Sequence, residues 1–373
     1  MNSRQTHPIS FRDQAIGLCA SLVLALLLDT PPALADNETG QAADRWNFPE
    51  FISDEQRKVF EGWVPYWDTP SGKFPAADDY EGWLKKRSEK NNTPVIKALN
   101  EKVVKDYQAT VKEIDIEGVR VLDISPSKIS SPDSVIIYSH PGGLYAQTAD
   151  LLLIDAIPMA HDARVRFLSI DYSKIPGPPK GLTVFDQRDE VIKVYKHVIE
   201  KMGISSQKIG MYSCSAGSTL TVAAINKLSR EGYPLPGAIA PNAGVYDWAT
   251  QGDTWWSLAG KDPILSVEHY IVPLVAMMGI DPRDPEISPV YDNFEDRDWP
   301  ATMLFAGGRE MLLSDTFNLN QRLKEAGHDA EANVFDGMGH CWPNVFHSPE
   351  AAQMRRQFIR FMTEKGVLDD PAG

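Results

Sequence analysis

The chain has 373 residues, of which 43% are hydrophobic and 24% charged, and a formal net charge of −14. Those proportions belong to an ordinary folded protein and not to a disordered or collagen-like chain. The acidic balance argues against nucleic acid or an anionic membrane surface as a partner. The length suits one large α/β domain with an added lid, and no internal repeat is visible.

The first 35 residues read as a leader and not as part of the fold. Arg4 and Arg12 precede the apolar run AIGLCASLVLALLL, which is short for a membrane span. DTPPALA follows, with Ala33 and Ala35 in the A-x-A arrangement that signal peptidase requires. We expect cleavage after Ala35, an exported (periplasmic or secreted) protein, and no stable membrane insertion once the leader is gone. An uncleaved anchor is the competing reading. Cleavage would remove Cys19 and leave Cys214 and Cys341, in a compartment where a disulfide can persist.

Residues 36–110 are rich in aromatic and charged side chains: Trp46, Phe48, Phe51, Phe60, Trp63, Tyr66, Trp67, Tyr80 and Trp83. The stretch SDEQRKVFEGW starts a helix, with Ser53 as N-cap and acidic residues in its first turn. The region reads as helices and loops. Two roles fit it, a helical layer packed on the main domain or a lid over a substrate pocket.

From residue 111 to 373 the pattern is that of a catalytic domain. VKEIDIEGVRVLDIS alternates like a strand pair, and SVIIYSH is a short β-branched run ending in a glycine turn. Strand-like RVRFLSIDY, KIGMYS, GAIAPNAG, ATMLFAGG and AEANVFDG then follow, interspersed with helical VFDQRDEVIKVYKHVIEKMG, AGSTLTVAAINKLSREG, DTFNLNQRLKEAG and SPEAAQMRRQFIRFMTEKG. Alternation of this kind predicts an α/β fold with a mostly parallel sheet covered on both faces. Chemistry in such sheets sits at the carboxyl ends of the strands.

At one such end, KIGMYS runs through Cys214 into Ser215 and then directly into a helix. A serine on a strand-to-helix turn projects outward on strained backbone, so its neighbours two residues away must be small. Ser213, Gly217 and Ser218 meet that condition, although Ser213 stands where a glycine is usual. The helix start also presents free N–H groups and a positive dipole end to an oxyanion. At a second end, HPGG lets Gly142 and Gly143 turn their amides toward a ligand, whereas Pro141 has no N–H to offer. His140 belongs to this loop and reads as structural. Each feature also fits an ordinary small-residue turn.

Together these stretches resemble the bacterial hormone-sensitive-lipase-like branch of the α/β-hydrolase esterases. The family's H-G-G-G, D-Y-R-L-A-P-E and G-D-S-A-G-G motifs correspond to HPGG, DYSKIPG and SCSAGS here, and the resemblance covers roughly residues 130 to 365. The region before about Thr110 falls where this family carries its variable cap. The resemblance implies Ser215 as nucleophile and Gly142, Gly143 and Ala216 as oxyanion donors. Its acid position falls on Glu310 in MLFAGGREMLLSD, with Asp315 as the alternative acid or else the N-cap of the helix that follows. Its base falls on His340 in VFDGMGHCW, with His347 as the alternative, better placed at the start of the last helix. The order Ser, acid, His is that of α/β hydrolases.

Cys214 precedes the serine and Cys341 follows the histidine. A hydrogen-bonded serine and histidine would bring these neighbours near a disulfide's Cα spacing. The C-S…H-C arrangement resembles that of tannases and fungal feruloyl esterases, in which a disulfide ties the two catalytic segments together. It implies a Cys214–Cys341 bond, with two small buried thiols as the alternative.

The reading that follows is a serine hydrolase acting on a small-molecule carboxylic ester through an acyl-enzyme, with no cofactor and no metal. No HExxH, P-loop or G-x-G-x-x-G stands in the sequence. An amidase or peptidase would use the same residues, as would a lyase, and a binding protein with a decayed triad would explain the departures at Ser213, Pro141 and Glu310. Tyr145, Trp248, Trp255 and Trp256 are candidates for the wall of the substrate pocket, or alternatively for the core.

Overall fold

The computed structural model describes residue 49 and residues 52–61, 73–177, 181–262, 264–344 and 347–370. The expected leader with Cys19, Ala33 and Ala35 lies outside the described residues, as do Trp46, Phe48, Phe51, Trp63, Tyr66 and Trp67.

The sheet begins with a hairpin. Strands β1 (Thr110–Ile116) and β2 (Val119–Ser125) pair antiparallel across Glu117 and Gly118, whose φ values of 53° and 85° are those a two-residue turn of the right twist requires. The remaining strands are β3 (Val135–Ser139), β4 (Arg166–Ile170), β5 (Ile209–Cys214), β6 (Ala238–Asn242), β7 (Ala301–Gly307) and β8 (Ala330–Phe335). The eight-stranded sheet has the order β1-β2-β4-β3-β5-β6-β7-β8. β2 is antiparallel to β4, and all pairings from β4 onward are parallel. The expected mostly parallel α/β sheet is the one observed.

Helices cover both faces, and the strand residues divide between two cores accordingly. Ile137, Met211, Ile239 and Leu304 face the core that includes α5 (Val184–Glu200), α6 (Ala216–Arg230) and α9 (Leu313–Glu325). Ile136, Tyr138, Tyr212 and Phe305 face the other, with α4 (Leu153–Ala163) and α10 (Pro349–Glu364). β3 and β5 are buried along their whole length, which is why they read as continuous apolar runs. The start of α5 is fixed by a capping box in which Thr183 and Asp186 satisfy each other's amides. Helix α4 has no counterpart in the sequence reading, because nearly all of it is buried and Pro158 interrupts it, leaving no polar face to reveal a helical period.

Helices α1 (Asp54–Glu61), α2 (Tyr80–Asn91) and α3 (Pro94–Asp106) precede the sheet. Ser53 caps α1 as expected, accepting from the Gln56 amide at 3.3 Å, and also donates to Glu350 at 2.6 Å. Gln56 Nε2 donates to the Trp342 carbonyl and the Ser348 hydroxyl, so α1 is fastened to the segment leading into α10. Short helices α7 (Thr254–Ser257) and α8 (Val272–Met278) lie between β6 and β7, the second entered through a π-helical turn at Val267–Ile271. No helix of the described residues is long and apolar enough to cross a membrane.

Candidate active site

Four strands deliver the candidate residues to one edge of the sheet. β3 and β5 are neighbours, with Ser139 paired to Ser213, so the HPGG loop and Ser215 leave the sheet side by side. β7 and β8 carry Glu310 and His340 on the loops beyond their carboxyl ends.

Ser215 has φ 53° and ψ −122°, backbone that a residue with a side chain adopts only under strain of about 1–3 kcal/mol. The surroundings hold it there. Its amide donates to the Asn242 carbonyl of β6 at 2.8 Å, and its own carbonyl accepts from the Ser218 and Thr219 amides of α6. Ser213, in the place of the usual glycine, is absorbed by this network. The Ser218 hydroxyl accepts from the Asn242 amide at 3.0 Å, donates to the Asn242 carbonyl at 2.8 Å, and lies 3.1 Å from the Ser213 hydroxyl.

Gly217 sets how closely the serine turn approaches the HPGG strand. A Cβ there would lie 2.0 Å from the Ser139 carbonyl oxygen and 2.7 Å from that of His140. The first turn of α6, including Ala216, is therefore pressed against the end of β3. In the loop beyond, Gly142 and Gly143 have φ of 138° and 63°. A Cβ on Gly142 would meet the Ala146 carbonyl at 2.1 Å, and one on Gly143 the Tyr270 hydroxyl at 2.3 Å. Glycine is needed at both for conformation and for space. His140 is fully buried, stacked on Tyr172 with centroids 4.3 Å apart, and lies 3.6 Å from Asp171, consistent with a structural role.

The serine, histidine and glutamate are joined in a single hydrogen-bonded chain. His340 Nε2 lies 2.9 Å from Ser215 Oγ, and its Nδ1 lies 2.9 Å from Glu310 Oε2. The second glutamate oxygen accepts from the Gly307 amide at 2.7 Å, which fixes the carboxylate at the end of β7. Burial pushes the Glu310 carboxyl up to about 7 against the opposing hydrogen bond from His340. Burial works against the imidazolium of His340, but the Cys341 sulfur and the Glu310 carboxylate outweigh it and raise His340 well above its ordinary value. Such a chain can take a proton from the serine and stabilise the resulting cation. Among the described residues no cluster of side chains is built to hold a metal ion.

Both cysteines are thiols in the structure, with sulfurs 2.8 Å apart. Cys341 is itself in left-handed backbone, at φ 55°.

Two expectations, for Asp315 and for the aromatic residues, need correction. Asp315 is not the N-cap of α9, which starts at Leu313 behind Leu312. Its fully buried carboxylate instead accepts from the Tyr246 and Asp247 amides at 2.8 and 3.0 Å and from the Trp255 indole N–H at 2.7 Å. Neither Asp315 nor His347, which stands just before the α10 cap Ser348, enters the hydrogen-bonded chain. Tyr145, Trp248 and Trp255 are 0%, 4% and 0% exposed and belong to the hydrophobic core, where Tyr145 packs on Trp83 and the Trp255 indole N–H meets Asp315; Trp256, at 37%, is on the surface.

One carboxylate at the site was not singled out from the sequence. Asp262 accepts from the amides of Ile264, Leu265 and Met311 at 2.9, 3.0 and 3.0 Å, fastening the loop before the π-helical turn to the residue after Glu310. An isolated aspartate carries no spacing signal that would reveal such a role.

A strained serine between a buried parallel strand and a helix, with acid and base on later strand ends, is the arrangement of the α/β hydrolases. The family model described as the alpha/beta hydrolase fold matches residues 136–344, and the chain belongs to that family. It is an esterase-like member. It is 22% identical over 281 residues to an esterase of Acinetobacter venetianus, an alignment covering 72% of this chain and 87% of that protein. An acetyl-hydrolase of Streptomyces hygroscopicus is 26% identical over 246 residues, covering 62% of this chain and 77% of its own. The crystal structure of esterase E25 superposes with a TM-score of 0.76 at 25% identity, over 85% of this chain and 95% of that one. An esterase of the bacterial hormone-sensitive lipase family shares the fold, with a TM-score of 0.68 at 24% identity over 84% and 98% of the two chains.

Proposed function

We propose that this protein is an exported serine hydrolase that cleaves small carboxylic esters through a Ser215–His340–Glu310 triad. The observation that carries the reading is the unbroken chain of 2.9 Å contacts from Ser215 Oγ through His340 to Glu310. Ser215 Oγ attacks the ester carbonyl while His340 Nε2 takes its proton. The Gly142, Gly143 and Ala216 amides bind the oxyanion. The alcohol leaves with the proton returned by His340, and water activated by the same nitrogen releases the acid from the acyl-enzyme. Glu310 keeps Nδ1 protonated and offsets the charge on the ring. The named activities of the relatives, esterase and acetyl-hydrolase, support short acyl esters as first substrates.

Two further features complete the reading. A Cys214–Cys341 disulfide, supported by the approach of the two sulfurs and by their positions beside Ser215 and His340, would clamp the serine turn to the histidine loop. It closes a loop of 127 residues and would contribute about 4–5 kcal/mol by chain entropy, less any strain. The leader sequence supports export and a mature chain beginning at Asp36.

The test is turnover of p-nitrophenyl acetate and butyrate by the wild type and Ser215→Ala, with the matching p-nitroanilides run alongside. Ester turnover lost with Ser215 is expected. Equal rates in the variant would remove Ser215 from the mechanism, and preference for the anilides would make the protein an amidase.

A further inference from the structure

The loop that carries Gly142 and Gly143 is held in a conformation its own sequence does not favour. Leu144 and Gln147, which have side chains, adopt φ of 67° and 64°, alongside the two glycines. Left-handed backbone costs roughly 1–2 kcal/mol at a residue with a Cβ, and persists only where the surroundings over-determine it. Within the loop, the Ala146 amide donates to the Gly142 carbonyl at 3.1 Å. From the catalytic domain, Gln187 Nε2 and the Ile175 amide donate to the Leu144 carbonyl at 2.8 and 3.1 Å.

Phe74 and Tyr270 also pack against the loop, and a further set of restraints comes from α2, before the sheet. Trp83, Arg87 and Asn91 follow one another at four-residue spacing, so they share one face of that helix. Each touches the loop. The Trp83 ring packs edge-on against Tyr145 with centroids 5.5 Å apart. Arg87 Nε donates to the Tyr145 carbonyl at 2.6 Å, and its Nη2 to the Pro176 carbonyl at 2.5 Å. Asn91 Oδ1 accepts from the Gln147 amide at 2.6 Å. A planar guanidinium reaching two carbonyls is a rigid, charge-assisted link, and both acceptors lie on loops that meet at the catalytic edge.

We infer that Arg87, with Asn91, is a positioning residue that fixes the oxyanion-binding loop from outside the catalytic domain, so that α2 is a standing part of the catalytic machinery. The inference rests on the oxyanion role proposed for Gly142 and Gly143. Removing the guanidinium leaves the Tyr145 carbonyl without its charged donor and lets the strained segment relax. The Gly142 and Gly143 amides then drift from the position of the developing oxyanion. Ground-state binding of a small ester changes little, because Arg87 is spent on backbone carbonyls.

The test compares Arg87→Ala, Arg87→Lys and Asn91→Ala with the wild type for kcat, KM and inhibition by an alkyl boronic acid, whose serine adduct is a tetrahedral anion. We expect kcat to fall about 10- to 100-fold in Arg87→Ala, since a shift of about 1 Å, or loss of one oxyanion donor, has effects of that size or larger. KM should stay within about 2-fold, boronate affinity should weaken in parallel with kcat, and Arg87→Lys should recover only part of the loss. A purely structural role would lower thermal stability while kcat per folded molecule and boronate affinity stayed at the wild-type value, and that result overturns the inference. A rise confined to KM overturns it as well. If Arg87→Ala does not fold, Arg87→Lys and Asn91→Ala carry the same comparison. Ser215→Ala separates the two levels: persistent ester turnover there refutes the triad itself, whereas its loss with normal Arg87 variants refutes only the brace.

Discussion

Replacing Gly217 by alanine sets helix propensity against active-site geometry. Alanine is favoured over glycine by up to about 1 kcal/mol within a helix, so propensity alone predicts some stabilisation even in this first turn of α6. At this position, however, the added Cβ would lie 2.0 Å from the Ser139 carbonyl oxygen, 2.4 Å from its carbon and 2.7 Å from the His140 carbonyl oxygen. All three are backbone atoms of β3 and the loop that continues it, so no side-chain rotation relieves the clash. Reaching even a tight 3.0 Å contact requires a separation of about 1 Å between the serine turn and the end of β3 (3.0 − 2.0). Overpacking of this kind costs about 1–3 kcal/mol, and a misplacement of about 1 Å at the reacting groups costs on the order of 100-fold in rate. Gly217→Ala should therefore lower the melting temperature and reduce kcat for p-nitrophenyl butyrate by about two orders of magnitude. Thermal melts and steady-state kinetics on the purified variant read both. A variant as stable and as active as the wild type would refute the close approach of α6 to β3.

Glu310→Gln and Asp315→Asn separate the two candidate acids. The first should cut kcat on the order of 10³-fold, by weakening control of the His340 tautomer and charge. The second disturbs a carboxylate with three buried donors and should cost about 1–3 kcal/mol of stability, with kcat of the folded enzyme within about 2-fold. Ser213→Gly should be nearly neutral in activity, because the Ser218 hydroxyl keeps both its contacts to Asn242; a loss above about 10-fold would show that the Ser213 hydroxyl is needed. The cysteine pair predicts a pH effect. In the dithiol, burial opposes ionisation of Cys341, but the Cys214 thiol and the His340 charge overcome it and bring its value down to about 5. The Cys341 sulfur in turn favours the His340 imidazolium, so release of that proton, which frees the base, moves to higher pH. The rising limb of kcat/KM should thus lie at higher pH for enzyme reduced with dithiothreitol than for the disulfide form. Coincident limbs in the two forms would contradict this.

The residues legible in the sequence were those whose chemistry is tied to a short motif at a strand end. Ser215 and Glu310 follow buried β-runs, His340 follows a half-exposed one whose glycine turn marks its end, and the serine turn needs small neighbours, so each residue is marked by its local pattern. Side chains with remote partners and no such local motif were not legible. Asp315 has the look of a helix cap, yet its acceptor oxygens serve amides 68 and 69 residues away and the indole of Trp255, 60 residues away. The aromatic residues at strand ends suggested pocket walls, because nothing local distinguishes a wall from a core. Arg87 lay in a stretch of mixed charge whose helix shows little amphipathic contrast, and only the folded loop reveals what its guanidinium meets. Asp262 and the buried, proline-interrupted α4 were hidden for the same reason: neither imposes a local period.

The central claim is that Ser215 becomes acylated during turnover. Wild-type enzyme mixed with excess p-nitrophenyl acetate, quenched in acid within milliseconds and digested, should yield an acetylated peptide containing Ser215. The acetyl group should appear at the rate of the p-nitrophenol burst and be absent from Ser215→Ala. A burst-free reaction with no label on that peptide, or label on Cys214 in its place, would contradict the account.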